Sequence, residues 1–217
     1  MQTIDAHDLG HEVAVAMGVL DGERQRVAVS LYRLLAVGEP VSTERLAGRA
    51  GRPLEWVREL LDSWPGVYRD EHGFVVGFWG LAIRQMPHRL EIGGRTLYAW
   101  CAWDTLFLPE ILRGRAAVTS ACPMTGETVS LEVDASGVHR VNPDSAVLSF
   151  LRPDGPFDGD VIRSFCHFVH FFASHEVATQ WVERHPDTFT LTLDEGVELA
   201  RLRNRELLGA ALEEDSR

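Results

Sequence analysis

Two short stretches of this chain carry side chains whose types and spacing could do chemistry. In Cys101-x-x-Asp104 a thiol and a carboxyl stand three residues apart. On a helix that spacing puts both on one face, and a helix start would lower the thiol pKa through its dipole and free N–H groups. Asp104, near the third helical position, would then either satisfy a backbone N–H or face a ligand. On spacing alone, a helix-start acid beside a small buried hydrophobe is the simpler reading. In Ser164-Phe165-Cys166-His167, followed by His170 and His175, a Cys beside a His suggests a nucleophile. Adjacent side chains point apart, however, so a direct Cys166–His167 pair has poor geometry. His167 and His170 have the i,i+3 spacing of helical metal ligands, but their segment is apolar enough to be core with satisfied histidines. Cys122, in a turn containing Pro123 and Gly126, reads as structural. Trp100, Trp103, Phe107, Phe165, Phe168, Phe171 and Phe172 read mostly as core, and a site for a small apolar ligand would use some of them.

The elements that must position these groups follow from periodicity and punctuation. A short helix is expected around Leu9–Met17, weakened by Gly10 and Gly18. Val27, Leu31, Leu34 and Leu35 share one face of a helix over 24–37, stopped by Gly38 and Pro40. A second helix follows Ser42 or Thr43 as N-cap, and a third opens at Pro53 with Trp56, Leu60 and Trp64 on one face. Val67–Arg69 and Phe74–Phe78 read as a hairpin. Three helices and a hairpin suggest a winged-helix-like domain over 1–80. Such domains usually bind DNA, yet residues 1–80 hold 8 Arg against 12 acids, and the third helix carries Glu55, Glu59 and Asp62 beside Arg58 alone. That charge is wrong for a helix facing phosphates, so no nucleic-acid binding is expected.

From about residue 81 the pattern becomes mixed. Residues 88–94 and 95–100 alternate around Gly93-Gly94 as a hairpin. A helix is expected from near Cys101, bent or ended by Pro109. Residues 115–122, 127–134, 138–143 and 146–153 read as a run of strands. After a loop and the apolar segment around Cys166 come a helix capped by Ser174, a strand from Thr188 and a terminal helix over Asp194–Leu208, with a frayed tail from Gly209. The expected fold is α+β: the helical N-terminal domain, then a mixed antiparallel β/α core domain over 81–217.

Composition limits the class of function. The chain of 217 residues has 32 acidic and 21 basic side chains, a net charge of −11. All the basic residues are Arg, which excludes a Schiff-base lysine and a phosphate-loop lysine. Three cysteines without a CxxC pair argue against a disulfide framework, a zinc ribbon or a thioredoxin-like site. A chain this long buries about 70% of its unfolded surface and needs no such staple. No run of about 18 apolar residues is present, so no membrane span is expected. The N-terminus lacks the basic region of a secretory signal. The expected location is the cytoplasm.

Three blocks, RTLYAWCAWDTLFLPEIL, AAVTSACPMTGETVSLEV and SFCHFVHFFAS, resemble the organomercurial lyase (alkylmercury lyase) family of bacterial mercury resistance, in the family's order and over roughly residues 84–185. The acidic helical N-terminal region is consistent with that family, whose winged-helix-like part has no DNA-binding role. The resemblance implies protonolysis of a carbon–mercury bond, giving a hydrocarbon and Hg(II). It implies that Cys101 and Cys166 are the essential cysteines, Asp104 the essential aspartate and Cys122 a structural cysteine. Trp100 and Phe165 match aromatics that line the substrate pocket. Two departures stand out: His167 replaces a second consecutive cysteine found in some members, and Trp103 replaces an aliphatic residue, which could narrow the pocket.

The chemistry agrees from below. Mercury is a soft acid and thiolate the softest side-chain donor. Two thiolates make the carbon more basic, and a proton must then reach it. Asp104 is the only acid close in sequence to either key thiol, and a desolvated aromatic setting would raise its pKa and help it carry that proton. No organic cofactor is required. Product Hg(II) would rest on Cys101 and Cys166, with Asp104 as a further ligand, until small cytosolic thiols or mercuric reductase take it, the latter by family resemblance. The expected assembly is a monomer or homodimer. The alternatives are a soft-metal or thiol-sensing transcriptional regulator and a non-catalytic soft-metal binder.

Overall fold

The computed structural model describes residues 6–157 and 159–214. Helix α1 (Ala6–Met17) comes first, longer than its glycines suggest. Helix α2 (Gly22–Leu35) starts two residues before the expected point, because the Asp21 side chain accepts from the Arg24 amide as an N-cap. Ser42 caps α3 (Thr43–Ala50) in the same way, and Gly51 closes it in the left-handed region at φ 63°. Helix α4 (Leu54–Ser63) begins after Pro53. Strands β1 (Val67–Arg69) and β2 (Val75–Phe78) form the expected antiparallel hairpin.

A two-residue strand that periodicity did not show, β3 (Leu81–Ala82), pairs with β2 on one side and β5 (Arg95–Ala99) on the other. The helical region's hairpin therefore continues into the core sheet. That eight-stranded sheet runs β1-β2-β3-β5-β4-β6-β7-β8, with β4 (His88–Ile92), β6 (Ala116–Ala121), β7 (Thr128–Asp134) and β8 (Gly137–Asn142). Every pairing in it is antiparallel. Gly93 and Gly94, at φ 57° and 74°, make the tight β4–β5 turn that favours two positive φ values. Alternation sets the faces: Leu90 and Ile92, Ala116 and Val118, and Val129, Leu131 and Val133 point inward. Helix α5 (Asp104–Leu112) lies on β4 and β7, with α8 (Leu193–Glu214) packed against it.

The fourth expected strand of the run leaves this sheet. β9 (Val147–Leu151) is instead the centre of a three-stranded antiparallel sheet between β10 (Phe171–Phe172) and β11 (Thr188–Leu191). All of β9 but its last residue is buried, so it cannot serve as a solvent-facing edge. Helix α7 (His175–Val182) is capped by Ser174 as expected. The terminal helix does not end at Leu208: after a break at Gly209 (φ 38°, ψ −125°) it resumes to Glu214, with Ala211 buried. Residues 215–217 of the tail lie outside the described residues. Pro109 does not stop α5, which ends one residue before Arg113 in the left-handed conformation. No described helix is long and apolar enough to cross a membrane.

Candidate active site

The two key cysteines arrive from segments 65 residues apart. Cys101 sits in a turn between β5 and α5, not in the helix. Asp104 is the first helical residue, and its Oδ2 accepts from the Cys101 backbone N–H at 2.8 Å. The carboxylate thus closes the turn that holds the thiol. The helix begins late because Ala102 and Trp103 form the turn instead: Thr105 donates its amide and its hydroxyl to the Ala102 carbonyl, at 3.2 and 2.6 Å. Upstream, the Trp100 amide donates to the Gly80 carbonyl at 3.0 Å.

Cys166 follows a one-turn helix, α6 (Val161–Ser164), whose N-cap is Asp160. It begins a short 3₁₀ turn over Cys166–Phe168. Ser149, fully buried on β9, clamps the far side. Its hydroxyl donates to the Phe168 carbonyl at 2.7 Å and accepts from the His170 amide at 3.0 Å. A single main-chain bond joins the two cysteine segments directly, from the Ala102 N–H to the Val169 carbonyl at 3.1 Å.

These constraints bring together three of the side chains singled out in the sequence. One ligand atom each of Cys101, Asp104 and Cys166 lies within 4.8 Å of the others, and all three residues are buried. Cys101 is 0% and Cys166 5% exposed. The three cysteines are free thiols.

Burial dominates the electrostatics. It pushes Asp104 up to about 6, against hydrogen bonds from the Cys101 thiol and amide, the positive charge of Arg203 and the Trp100 amide. It also pushes Cys101 well above the ordinary thiol value, helped by Cys166 and by the charge of Asp104. This corrects the expected helix-start effect, since Cys101 lies before the helix and in a dry site. Cys166 is pulled down by the Cys101 thiol, but burial and the Asp104 charge leave it above the ordinary value. At neutral pH neither thiol ionises unaided, and Asp104, mostly ionised, is the base within reach.

The remaining residues fall around this triad. The Trp100 ring packs against Tyr68, with centroids 4.8 Å apart, on the β1–β2 side. Phe165 packs edge-on to Phe150 and Phe157 and lines a groove of about 1200 Å³, together with Phe168 and Phe189. Trp103 does not reach this groove. Its indole is fully buried against Phe107 and Phe150 and donates to the Gly196 carbonyl at 3.0 Å. His167 is exposed, and His170 bonds the His167 carbonyl through Nε2 at 2.7 Å. Neither joins the triad, so the helical-ligand spacing has no counterpart.

Cys122 lies outside the triad, in the turn after β6. Burial alone would raise its thiol pKa. Hydrogen bonds from the Thr125 hydroxyl and from the amides of Ala173, Met124 and Thr125 outweigh it and bring the thiol below its ordinary value.

Sequence reasoning missed Gly80, at φ 93°, where an added Cβ would stand 2.6 Å from the Asp104 Cγ. A glycine beside Trp79 was the available signal for such a close approach. It also missed Arg203, 1% exposed, whose guanidinium lies 4.1 Å from the Phe107 ring centroid and donates to the Tyr32 hydroxyl at 3.0 Å. Its signal was a cation on the buried face of the terminal helix, in line with Ala200 and Leu207.

Comparison with known proteins places this arrangement. Residues 81–203 match the family described as "Alkylmercury lyase", and residues 12–79 match "Helix-turn-helix domain of alkylmercury lyase". An alkylmercury lyase of Staphylococcus epidermidis is 40% identical over 184 residues, covering 85% of this chain and 82% of that protein. One of Bacillus cereus is 40% identical over 173 residues, 79% and 78% of the two chains. One of Pseudomonas putida is 40% identical over 181 residues, 83% and 80%. The crystal structure of the mercury-bound form of MerB2 shares the fold, with a TM-score of 0.75 at 24% identity over 95% of this chain and 98% of that one. With the family match spanning more than half its length, the chain belongs to the alkylmercury lyase family.

Proposed function

We propose that this chain cleaves the carbon–mercury bond of an organomercurial by protonolysis, with Cys101, Asp104 and Cys166 as its working groups. The carrying observation is the buried grouping of two thiols and one carboxyl within 4.8 Å of one another. Asp104 is ionised above about pH 6 and sits in hydrogen-bonding reach of the Cys101 thiol. As mercury approaches, the Cys101 proton passes to Asp104 and the sulfur binds the metal, which favours thiolate over every other side-chain donor. Cys166 then adds the second sulfur, its proton leaving on the small-thiolate ligand that mercury gives up. Electron density moves onto the carbon, Asp104 returns the proton to it, and the hydrocarbon leaves.

The proton leaves a thiol and ends on carbon, so the triad balances this step without an organic cofactor. Burial supports both halves. It keeps Asp104 basic enough to hold the proton and excludes water that would compete for the metal. Phe165, which lines a groove of about 1200 Å³, and Trp100, which packs against Tyr68, set aromatic surface beside each of the two cysteines in the chain. Hg(II) remains on the two sulfurs until competing small thiols or the cysteines of a mercuric reductase remove it. Cys122 serves the fold.

The test is a headspace assay. Purified protein with phenylmercury or methylmercury and excess small thiol should release benzene or methane, and Cys166→Ala should release none. Full release by Cys166→Ala would sink the two-thiol mechanism. Tight mercury binding without hydrocarbon from the unaltered chain would leave a soft-metal binder.

A further inference from the structure

The turn between β2 and β3 consists of Trp79 and Gly80, at φ 33° and 93°. A two-residue turn with both φ values positive favours Asn, Asp or Gly at its first position, and a tryptophan there is strained. Such strain persists only where the surroundings hold it. Contacts on each side of Trp79 do so. Its amide donates to the Gly66 carbonyl at 3.0 Å. Its indole lies so close over Gly66 that an added Cβ there would stand 2.3 Å from the ring. Its carbonyl accepts from the Tyr32 hydroxyl at 2.9 Å. Tyr32 comes from α2 and is 1% exposed, and its oxygen is fixed in turn by the Arg203 guanidinium, which donates to it at 3.0 Å.

The triad rests on this strained turn. Gly80 leaves no room beside the Asp104 side chain: an added Cβ would stand 2.6 Å from its Cγ, 2.7 Å from Oδ1 and 2.9 Å from Cβ. The Gly80 carbonyl also accepts from the amide of Trp100, the residue before Cys101, at 3.0 Å. Gly80 therefore contacts both sides of the Cys101–Asp104 turn, which the Asp104 carboxylate closes on the Cys101 amide at 2.8 Å. We infer that Tyr32 is a positioning residue: its hydroxyl locks the Trp79–Gly80 turn, and the turn seats the Asp104 carboxyl against Cys101. The helix-turn-helix region thus acts on the site as a brace.

The inference rests on the proposed mercury chemistry for its effect on turnover, and a second readout tests it without that chemistry. Tyr32→Phe keeps the ring packed on Phe78 and removes the hydroxyl. With phenylmercury, kcat should fall about tenfold or more while KM stays within about twofold, as for a misplaced reacting group. The change also leaves the Arg203 guanidinium short of an acceptor, so Leu46→Ala on α3 is the control: it lowers the melting temperature and should keep the parental kcat. Hydrogen exchange is the second readout. The Trp100 and Cys101 amides should speed up in Tyr32→Phe by more than the β6 amides do, whereas Leu46→Ala should move the two sets alike. Asn takes a positive φ readily, so in a Trp79→Asn background Tyr32→Phe should change kcat less than about twofold. Parental kcat in Tyr32→Phe overturns the inference. So does an equal kcat loss in Leu46→Ala, a gain in exchange at Trp100 and Cys101 no larger than in β6, or the full loss persisting beside Trp79→Asn. If the parent releases no hydrocarbon, the lyase reading fails alone, and exchange still decides the role of Tyr32.

Discussion

Cys101 and Cys122 are both free, buried thiols, and their surroundings push them in opposite directions. Around Cys101 stand a carboxyl and a second sulfur in a dry pocket, and its proton is held tightly. Around Cys122 a turn aims a hydroxyl and three backbone amides at the sulfur, and its proton is held loosely. Judged by acidity alone, Cys122 would be the reactive thiol. Among the described residues it joins no cluster of three metal-ligating side chains, whereas Cys101 does. Under the proposed chemistry, the difference teaches that the working thiol is the one with a proton acceptor beside it, not the one that gives up its proton most easily.

The largest expected effects break that comparison outright. Cys101→Ala and Cys166→Ala should each lower turnover by about 10³-fold or more, since groups acting as a unit fail together. Cys122→Ala should keep kcat and lose about 1–3 kcal/mol of unfolding free energy in a denaturant titration. Loss of kcat in Cys122→Ala at undiminished stability would bring the third thiol into the chemistry.

Next in size is Asp104→Asn, which removes the proton's recipient and keeps the side chain's shape. Turnover should fall by about 10²–10⁴-fold while Hg(II) stays bound. The sign of its stability effect follows from its raised pKa. The folded state holds the Asp104 proton up to about pH 6, whereas an ordinary Asp releases it near 3.8. The parent must therefore lose stability as pH rises from about 4 to 6, by up to about 3 kcal/mol, and Asp104→Asn must not. Parallel stability curves for the two proteins across that range would contradict this. For the same reason kcat/KM should rise with pH through about 6, as Asp104 becomes free to accept the thiol proton.

An effect on stability alone, with none expected on turnover, sharpens the Cys122 side. His88 is buried beside β6, its Nδ1 2.7 Å from the Ser120 hydroxyl, near His170 and Phe171. Burial, with the charge of His170, pushes its pKa down to about 3. The unfolded chain binds this proton from about pH 6.5 downward and the folded one does not, so stability falls as pH drops through that window. His88→Gln should flatten the fall, by at most about 1.4 kcal/mol per pH unit. An unchanged acid limb would mean that other groups carry it.

The sequence made the elements legible where local signals were complete. Ser42 and Ser174 mark helix starts, Gly93-Gly94 marks a turn, and alternation marks β4, β6 and β7. It showed the triad only through the three family blocks, because nothing local says that Cys101 and Cys166 meet. The helix start was misjudged by three residues because Asp104 caps the turn before it, and a capped turn and a first helical turn share the same residue types. The two-residue strands β3 and β10 are too short for any period to show. Gly80 matters through its place beside β3, which pairs with β5, a contact between segments that local periodicity does not show.

The bond from the Ala102 N–H to the Val169 carbonyl has a consequence for how this site can vary. Main-chain atoms alone form it, so a substitution at position 102 or 169 that keeps the packing of these two buried residues leaves both bonding partners in place. The exposed His167 can vary without touching that bond, whereas Trp103 is held by its packing and by the Gly196 carbonyl. Among the natural residues, only proline at 102 would withdraw the donor. The direct link between the two cysteine segments thus rests on atoms that almost every residue type supplies.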